Sequence, residues 1–212
     1  MTIRYLVKLE LAALFLSLLI LATFIQLRLP FISFQLPQLP DTWLWDRLSW
    51  PYVGTYSGNL QIPMVFLMLV VLDGALASLT LGAYLLLGLC AFPIFFYGGG
   101  WAYLHQPTFG YLAALLPSAW LWMFTLRRHP RRAIPIKRYI WASLMSLGLI
   151  HLFGGLWAAL YYQLIPLEFL LNFVLPQLTW QLPSMLFVVL VVVQLKEMLR
   201  EPPPRRRSAS HA

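Results

Sequence analysis

Charge is scarce in this sequence, and that scarcity excludes most classes of soluble protein. Only 10% of the 212 residues are charged, whereas 60% are hydrophobic. An average soluble chain carries roughly a quarter charged residues, so there is too little charge here to cover a soluble domain. The mean hydropathy of +0.74 agrees. The composition predicts an integral membrane protein and excludes a disordered regulator and an ordinary cytosolic enzyme.

Cysteine and the common catalytic motifs are also nearly or wholly missing. The single cysteine, Cys90, cannot form an internal disulfide, which excludes a secreted disulfide scaffold. The sequence contains no GxSxG, HExxH or P-loop motif. Its histidines lack carboxylate or cysteine partners at ligand spacing. We therefore expect no enzyme, no metal site and no cofactor, and any energy for transport would come from a partner or an ion gradient.

Long apolar runs are abundant. A membrane-spanning helix needs about 20 mainly apolar residues, because the hydrocarbon core is roughly 30 Å thick. The pattern predicts an all-α, polytopic membrane protein with six transmembrane helices in residues 1–200, followed by a disordered basic cytoplasmic tail in residues 201–212. Asp73-Gly74 and Ser78 to Thr80 are expected to break the stretch 60–97 and to turn the second span into the third. The predicted spans cover residues 6–27, two helices within 60–97, 108–126, 139–162 and 173–195.

Positive charge is distributed unevenly over the predicted loops. Every Lys and Arg except Arg28 and Arg47 falls on one side of a six-span protein. The positive-inside rule assigns that side to the cytoplasm, so both termini are predicted to be cytoplasmic in a multi-pass plasma-membrane protein. The net charge of +8 thus indicates topology, and no nucleic-acid partner is expected. The basic loop of residues 127–138 is either a topology anchor or a docking surface for a partner.

One long predicted external loop, residues 28–59, is rich in proline and tryptophan. Tryptophans at this level are typical of an interfacial aromatic belt. A long structured loop is also typical of a lid over a binding pocket. Both interpretations stay open from the sequence.

Three consecutive glycines, Gly98, Gly99 and Gly100, lie between Pro93 and Pro107. Glycines propagate a helix poorly and let backbone approach backbone or ligand closely. Non-helical backbone at membrane depth is tolerated only where protein buries it or water reaches it. The segment is therefore either a plain tight turn or a re-entrant loop at a solute site.

Short motifs around these glycines occur in a fixed order. They are Ile62-Pro63, YLLLG at 84–88, FPIF at 92–95, the three glycines and PTFGYL at 107–112. This combination resembles BioY, the biotin-binding S component of energy-coupling-factor (ECF) transporters. The resemblance is strongest over residues 60–126 and extends to the six-span layout throughout.

The resemblance implies an S-component-like bundle that captures a vitamin, most simply biotin, at the external face. It also implies an EcfT-like transmembrane coupling protein and two ATPase subunits as partners in the lipid bilayer, so that ATP hydrolysis would belong to those subunits. The alternatives are an S-component-like protein for a different small solute, a structural subunit of a membrane complex, and a membrane enzyme with a proton-transfer site near His151.

The start of the last predicted helix departs from the family. There the family often carries a PGD-xx-K-like pattern, whose acid and lysine contact biotin. Here the acid position holds Ser184 or Met185, and the lysine position holds Phe187 or Val188. Neither charged ligand contact is therefore carried over to this chain.

A ligand carboxylate still needs a partner. Arg28 and Arg47 are the only cations on the predicted external side, and both border the long loop. We hypothesise that one of them pairs with the carboxylate when the loop closes. Backbone amides of the glycine segment are the alternative.

Polar and aromatic residues near the external ends of the spans are the candidate solute contacts. Gln177, Gln181 and Ser184 follow one another at i, i+4 and i+7 and so share one helical face, which should point into the bundle. Gln181 is the predicted hydrogen-bond partner of a ureido group, and an internal polar seam is the alternative. The full candidate set is Asn59, Gln61, Gly98, Gly99, Gly100, Trp101, Tyr103, Gln106, Thr108, Tyr111, His151, Gln177, Gln181 and Ser184.

His151 lies in the middle of the fifth predicted span. A polar residue at that depth is a functional candidate or a histidine bonded to a neighbouring helix. Tyr161, Tyr162 and Trp157, near the end of the same span, are interpreted as residues of the aromatic belt, and a place in the wall of a ligand site is the alternative.

A pair of small residues marks the first predicted span. Ala13 and Ser17 have the small-xxx-small spacing that lets helices pack closely. The resemblance assigns this seam to the coupling protein. The alternative is packing against another helix of the same bundle.

Overall fold

The computed structural model describes residues 2–33, 52–72, 74–90, 92–127, 134–162 and 174–199. Several sequence predictions fall outside these residues: most of the long loop with Arg47, the turn residue Asp73, the centre of the basic loop and the C-terminal tail. The elements are α1 (Thr2–Phe24), β1 (Gln26–Ser33), β2 (Tyr52–Asn59), α2 (Gln61–Val71), α3 (Gly74–Cys90), a 3-10 helix (Trp101–His105), α4 (Phe109–Ala113), α5 (Leu115–Arg127), α6 (Ile136–Tyr162) and α7 (Leu175–Met198).

Each predicted apolar span forms helix in the described part of the chain. Four helical stretches are long and apolar enough to cross a membrane, namely Tyr5–Phe24, Phe109–Arg127, α6 and α7. α2 and α3 are apolar but shorter, with 11 and 17 residues. The predicted break at Ser78 to Thr80 is wrong: these residues lie inside α3, where the Ser78 and Thr80 hydroxyls donate to carbonyl oxygens of their own helix. The protein is therefore a helical multi-pass membrane protein. The count of six spans stays a prediction, because α2 and α3 are shorter than the roughly 20 residues that span a bilayer.

A β-hairpin is the feature that the all-α prediction missed. β1 and β2 pair antiparallel, with Gln26 opposite Asn59 and Ser33 opposite Tyr52. α1 ends at Phe24, so the last residues of the first predicted span are extended instead of helical. Backbone groups beyond a helix end need new partners, and pairing of the two arms of the loop supplies them. This pairing joins residues far apart in sequence, which a local pattern cannot show.

The helices pack around one core, and the rest of their surface is apolar. Trp122 and Phe66 are fully buried and meet edge-to-face with ring centroids 5.8 Å apart. Leu160 on α6 and Met198 on α7 are instead 77% and 72% exposed. Large exposed side chains of this kind on most helices are what lipid contact requires, because no aqueous surface tolerates so much continuous apolar area.

A close approach at Gly88 fixes the segment that follows α3. A Cβ built on Gly88 would lie 2.1 Å from Cζ of Phe95, a fully buried residue. We expect Gly88→Ala to lower the free energy of unfolding by about 1–3 kcal/mol, because the ring must move in a packed core. Thermal melting of the purified protein measures this. Gly82→Ala on the same helix is the matched control, since a Cβ there meets no described atom within 4 Å. Equal melting temperatures for the two variants would contradict the packing explanation.

Candidate ligand-binding site

A cavity of about 590 Å³ opens where the hairpin meets one end of the helical bundle. Its wall combines side-chain amides, tyrosines and apolar residues. These residues come from the hairpin, from several helices and from the segment between α3 and α5. The described lining residues are Thr23, Gln26, Asn59, Gln61, Ile62, Phe96, Tyr97, Tyr103, Gln106, Pro107, Thr108, Tyr111, Leu112, Leu115, Ala158, Tyr161, Tyr162, Gln177 and Gln181.

One buried amide of the wall, Gln61, is held from behind by a hydroxyl pair. Gln61 Nε2 donates to the hydroxyl oxygen of Tyr84 at 3.3 Å. That hydroxyl lies 3.0 Å from Oγ1 of Thr23, which donates to the carbonyl oxygen of Leu19 at 2.9 Å. α1, α2 and α3 therefore meet in one polar chain that fixes the position of Gln61.

The second buried amide, Gln181, is held by a histidine. His151 Nε2 lies 3.0 Å from Oε1 of Gln181, which links α6 to α7. The ring of Tyr111 stands edge-on to the imidazole with centroids 5.7 Å apart. His151 Nδ1 is buried and has no hydrogen-bond partner among the described residues. The pair therefore places one amide of the wall against an enclosed imidazole.

The segment between α3 and α5 forms another side of the cavity. Tyr103 Oη lies 3.1 Å from Oγ1 of Thr108, and Trp157 Nε1 donates to the carbonyl oxygen of Gln106 at 3.0 Å. Burial raises the pKa of Tyr103, which lies in the 3-10 helix between spans, although its bond to Thr108 opposes this. The Tyr103 hydroxyl therefore stays protonated at neutral pH and can donate to a ligand.

The three glycines form a tight turn, and they are not among the described residues that line the cavity. Phe95 and Gly98 exchange backbone hydrogen bonds of 2.9 and 3.0 Å, and Gly100 donates to the carbonyl oxygen of Gly88 at 2.7 Å. Gly98 and Gly100 have φ values of 107° and 82°, which favour glycine. The glycines therefore form a tight turn, and this turn borders the candidate site because its neighbours Phe96 and Tyr97 line the cavity.

That turn brings two aromatic residues to the wall that the sequence did not single out. Phe96 and Tyr97 occupy the turn closed by the Phe95–Gly98 bridge, and both line the cavity. The positive φ angles of Gly98 and Gly100 favour glycine in the turn that carries Phe96 and Tyr97 to the cavity. Trp101, which follows the glycines, is 70% exposed and is absent from the described wall.

Residues 49–201, well over half of the chain, match the model of the BioY family. The chain belongs to the BioY family. No curated protein matches it.

A solved structure shares the fold of this BioY protein. It is described as the crystal structure of the S-component for biotin from an ECF-type ABC transporter. The TM-score is 0.70 at 18% sequence identity, and the match covers 93% of this chain and 94% of that chain. At this identity the likeness establishes the S-component fold alone.

The structure brings eight of the predicted site residues of this BioY protein to one cavity. They are Asn59, Gln61, Tyr103, Gln106, Thr108, Tyr111, Gln177 and Gln181. The other six predicted site residues are not among the described residues that line the cavity. Ser184 turns away because its Oγ donates to the carbonyl oxygen of Trp180 at 2.8 Å, and His151 lies one hydrogen bond behind the wall. The remaining four are Gly98, Gly99, Gly100 and Trp101.

Sequence reasoning missed part of the wall. Tyr161 and Tyr162 line the cavity instead of serving only as belt residues. Thr23 was hidden inside an apolar span, and Gln26 lies on a strand that was not predicted. Thr23 and Gln26 are polar residues near the end of the predicted apolar span 6–27, and that position was the available sign of a site residue. The other missed residues are Ile62, Phe96, Tyr97, Pro107, Leu112, Leu115 and Ala158.

Cations are absent from the cavity wall in the part of the chain that the structure describes. Arg28 is exposed on β1 and stands two residues from the wall residue Gln26. Side chains at i and i+2 of a strand share a face, so Arg28 points from the same side of the hairpin as Gln26. Arg47 lies outside the described residues.

Ala13 and Ser17 lie on an exposed face of α1. Ser17 Oγ donates to the carbonyl oxygen of Ala13 at 3.1 Å, which keeps the hydroxyl against its own helix. In the described part of the chain, this seam is therefore not packed against another helix of the same bundle. The face is left for lipid or for a partner.

Proposed function

We propose that this BioY-family protein is the membrane-embedded, substrate-binding subunit of a biotin uptake system. The observation that carries the proposal is a cavity with two buried, anchored amides among aromatic and apolar walls, in the fold of an S-component for biotin. Its volume of about 590 Å³ falls in the usual range for small-molecule sites. The protein acts as a transport subunit, and ATP hydrolysis belongs to other subunits.

The proposed ligand meets the wall in two ways. Its ureido group lies near Gln61 and Gln181, which are each 8% exposed. Its apolar ring and chain contact the aromatic residues. The carboxylate lies at the open side of the cavity, where solvent lowers the cost of the charge, and Arg28 or Arg47 is its proposed partner.

The proposed assembly follows from the family and from the surface of α1. The partners are an EcfT-like transmembrane coupling protein and two ATPase subunits, with the exposed seam of Ala13 and Ser17 facing the coupling protein. Six spans with both termini in the cytoplasm are the proposed topology, because that arrangement gathers nearly all Lys and Arg residues on one side.

Titration of the purified full-length protein with a vitamin panel tests the function. We expect saturable quenching of tryptophan fluorescence by biotin, because Trp180 lies beside the cavity. Its Nε1 donates to the backbone carbonyl oxygen of the lining residue Asn59 at 3.4 Å. Isothermal calorimetry should give the same affinity. A response to another vitamin alone would replace the substrate while keeping the family. No response to any vitamin would favour a structural subunit and would contradict the proposal.

A further inference from the structure

The two buried amides of the cavity wall, Gln61 and Gln181, differ in the atom that each uses in its anchoring hydrogen bond. We propose that these hydrogen bonds give the amides opposite polarity, so that Gln181 presents a hydrogen-bond donor and Gln61 an acceptor to the ligand. His151 then acts as a positioning residue for ureido recognition, although it lies behind the wall. This inference rests on the proposed function and adds the residues that set its specificity.

The polarity of Gln61 follows from counting protons. A hydroxyl group carries a single proton. The Thr23 proton is used on the carbonyl oxygen of Leu19, so the short contact between the two hydroxyls requires Tyr84 to donate to Thr23. The Tyr84 oxygen can then only accept, and it accepts from Gln61 Nε2. Oε1 of Gln61 is therefore the end of the amide that is left for the cavity.

The polarity of Gln181 follows from the tautomer of His151. A neutral imidazole carries one proton, on either Nδ1 or Nε2. Nδ1 is buried without a partner among the described residues, and a buried N–H without an acceptor is rarer than a buried acceptor without a donor. The proton therefore sits on Nε2 and is donated to Oε1 of Gln181. The Nε2 amide protons of Gln181 are left for the cavity.

A ureido group carries the chemical groups that complement this donor and this acceptor. Its carbonyl oxygen accepts from Gln181 Nε2, and its adjacent N–H donates to Gln61 Oε1. A cyclic guanidine in the same place offers only donors when it is cationic, so it would set N–H against the N–H of Gln181. The site should therefore discriminate the two groups by polarity and not by shape.

The test compares three ligands by calorimetry on the purified full-length protein: biotin, desthiobiotin and 2-iminobiotin. Desthiobiotin keeps the ureido group, whereas 2-iminobiotin replaces its carbonyl oxygen with nitrogen and is cationic at neutral pH. We expect the wild type to prefer biotin over 2-iminobiotin by about 100-fold, since an unsatisfied donor in a desolvated site costs affinity of that order. In His151→Phe the Gln181 amide can turn, so this preference should fall by about tenfold or more.

Two readouts separate positioning from simple structural damage. The preference for biotin over desthiobiotin should stay unchanged in His151→Phe, because both ligands carry the same ureido group. His105→Phe is the matched control, since His105 is exposed and lies outside the described wall, and it should keep all three affinities. If His151→Phe does not fold, His151→Gln replaces it in the test. The new amide can donate to Gln181 or accept from it, so it cannot hold the Gln181 amide in one orientation.

The outcomes distinguish this inference from the proposed function. A folded His151 variant that binds biotin and keeps the wild-type preference over 2-iminobiotin overturns the positioning role and leaves the function standing. A wild type that binds biotin and 2-iminobiotin equally also overturns it. A wild type that binds no biotin defeats the proposed function itself.

Discussion

Ala158→Phe is expected to weaken biotin binding by about 100-fold or more, because the new ring occupies the ligand space and cannot be displaced without strain in the packed helices. Ala158 is 4% exposed on α6 and lines the cavity. It faces α7 near Val174, with which it forms a small apolar cluster. Because Val174 packs beside Ala158, the cavity that Ala158 lines is the open space for a benzyl group at this position. Calorimetric titration with biotin measures the loss.

The control for this variant uses the same helix and the same new side chain. Leu160→Phe changes a residue that is 77% exposed and absent from the described cavity wall, so wild-type affinity is expected. Comparable melting temperatures for the two variants would show that both fold. A folded Ala158→Phe protein with wild-type affinity for biotin would mean that the ligand binds elsewhere.

Gln181→Leu is expected to weaken biotin binding by about 100-fold. The leucine has a similar size, but it leaves the ligand carbonyl without a donor and His151 without its partner. Each unsatisfied buried group costs about 1–3 kcal/mol. The cost of the unpaired ligand carbonyl applies only when the ligand is bound. Loss of the His151 partner lowers the stability of the free protein as well, so melting and affinity should both fall.

Gln194→Leu on the same helix is the matched control. Gln194 lies on α7 but is exposed and absent from the described cavity wall. We expect this variant to keep the wild-type affinity and melting temperature. If Gln181→Leu bound biotin as tightly as Gln194→Leu does, the wall amide would have no part in holding the ligand.

Much of the helical framework was predictable from apolar run length alone. The predicted span 139–162 lies within α6, and the predicted span 173–195 overlaps α7 almost entirely. The hairpin was not predictable in the same way. Its strands lie on either side of a stretch of the long loop and satisfy each other's backbone groups, which is a non-local event that no window of adjacent residues reports.

The candidate site was predictable as a set of polar positions and not as a geometry. Asn59, Gln61 and Gln177 stand at the ends of apolar runs, and the structure places all three on the cavity wall. Ser184 shares the helical face of Gln177 and Gln181, yet its hydroxyl bonds to its own helix. Periodicity gives the face of a helix, but a short hydroxyl side chain has a nearby backbone carbonyl as a competing partner.

The sequence by itself determined that this protein lies in a bilayer and which apolar stretches are mainly helical, because scarce charge and long apolar segments leave backbone groups no partner except those of their own helix. Only the tertiary structure decided which polar groups meet. Gln61 bonds Tyr84 across 23 residues, and His151 bonds Gln181 across 30. Helices that are apolar on all sides carry little pattern to fix their rotation or depth. Packing against neighbours sets both, and with them the donor and acceptor that the cavity presents.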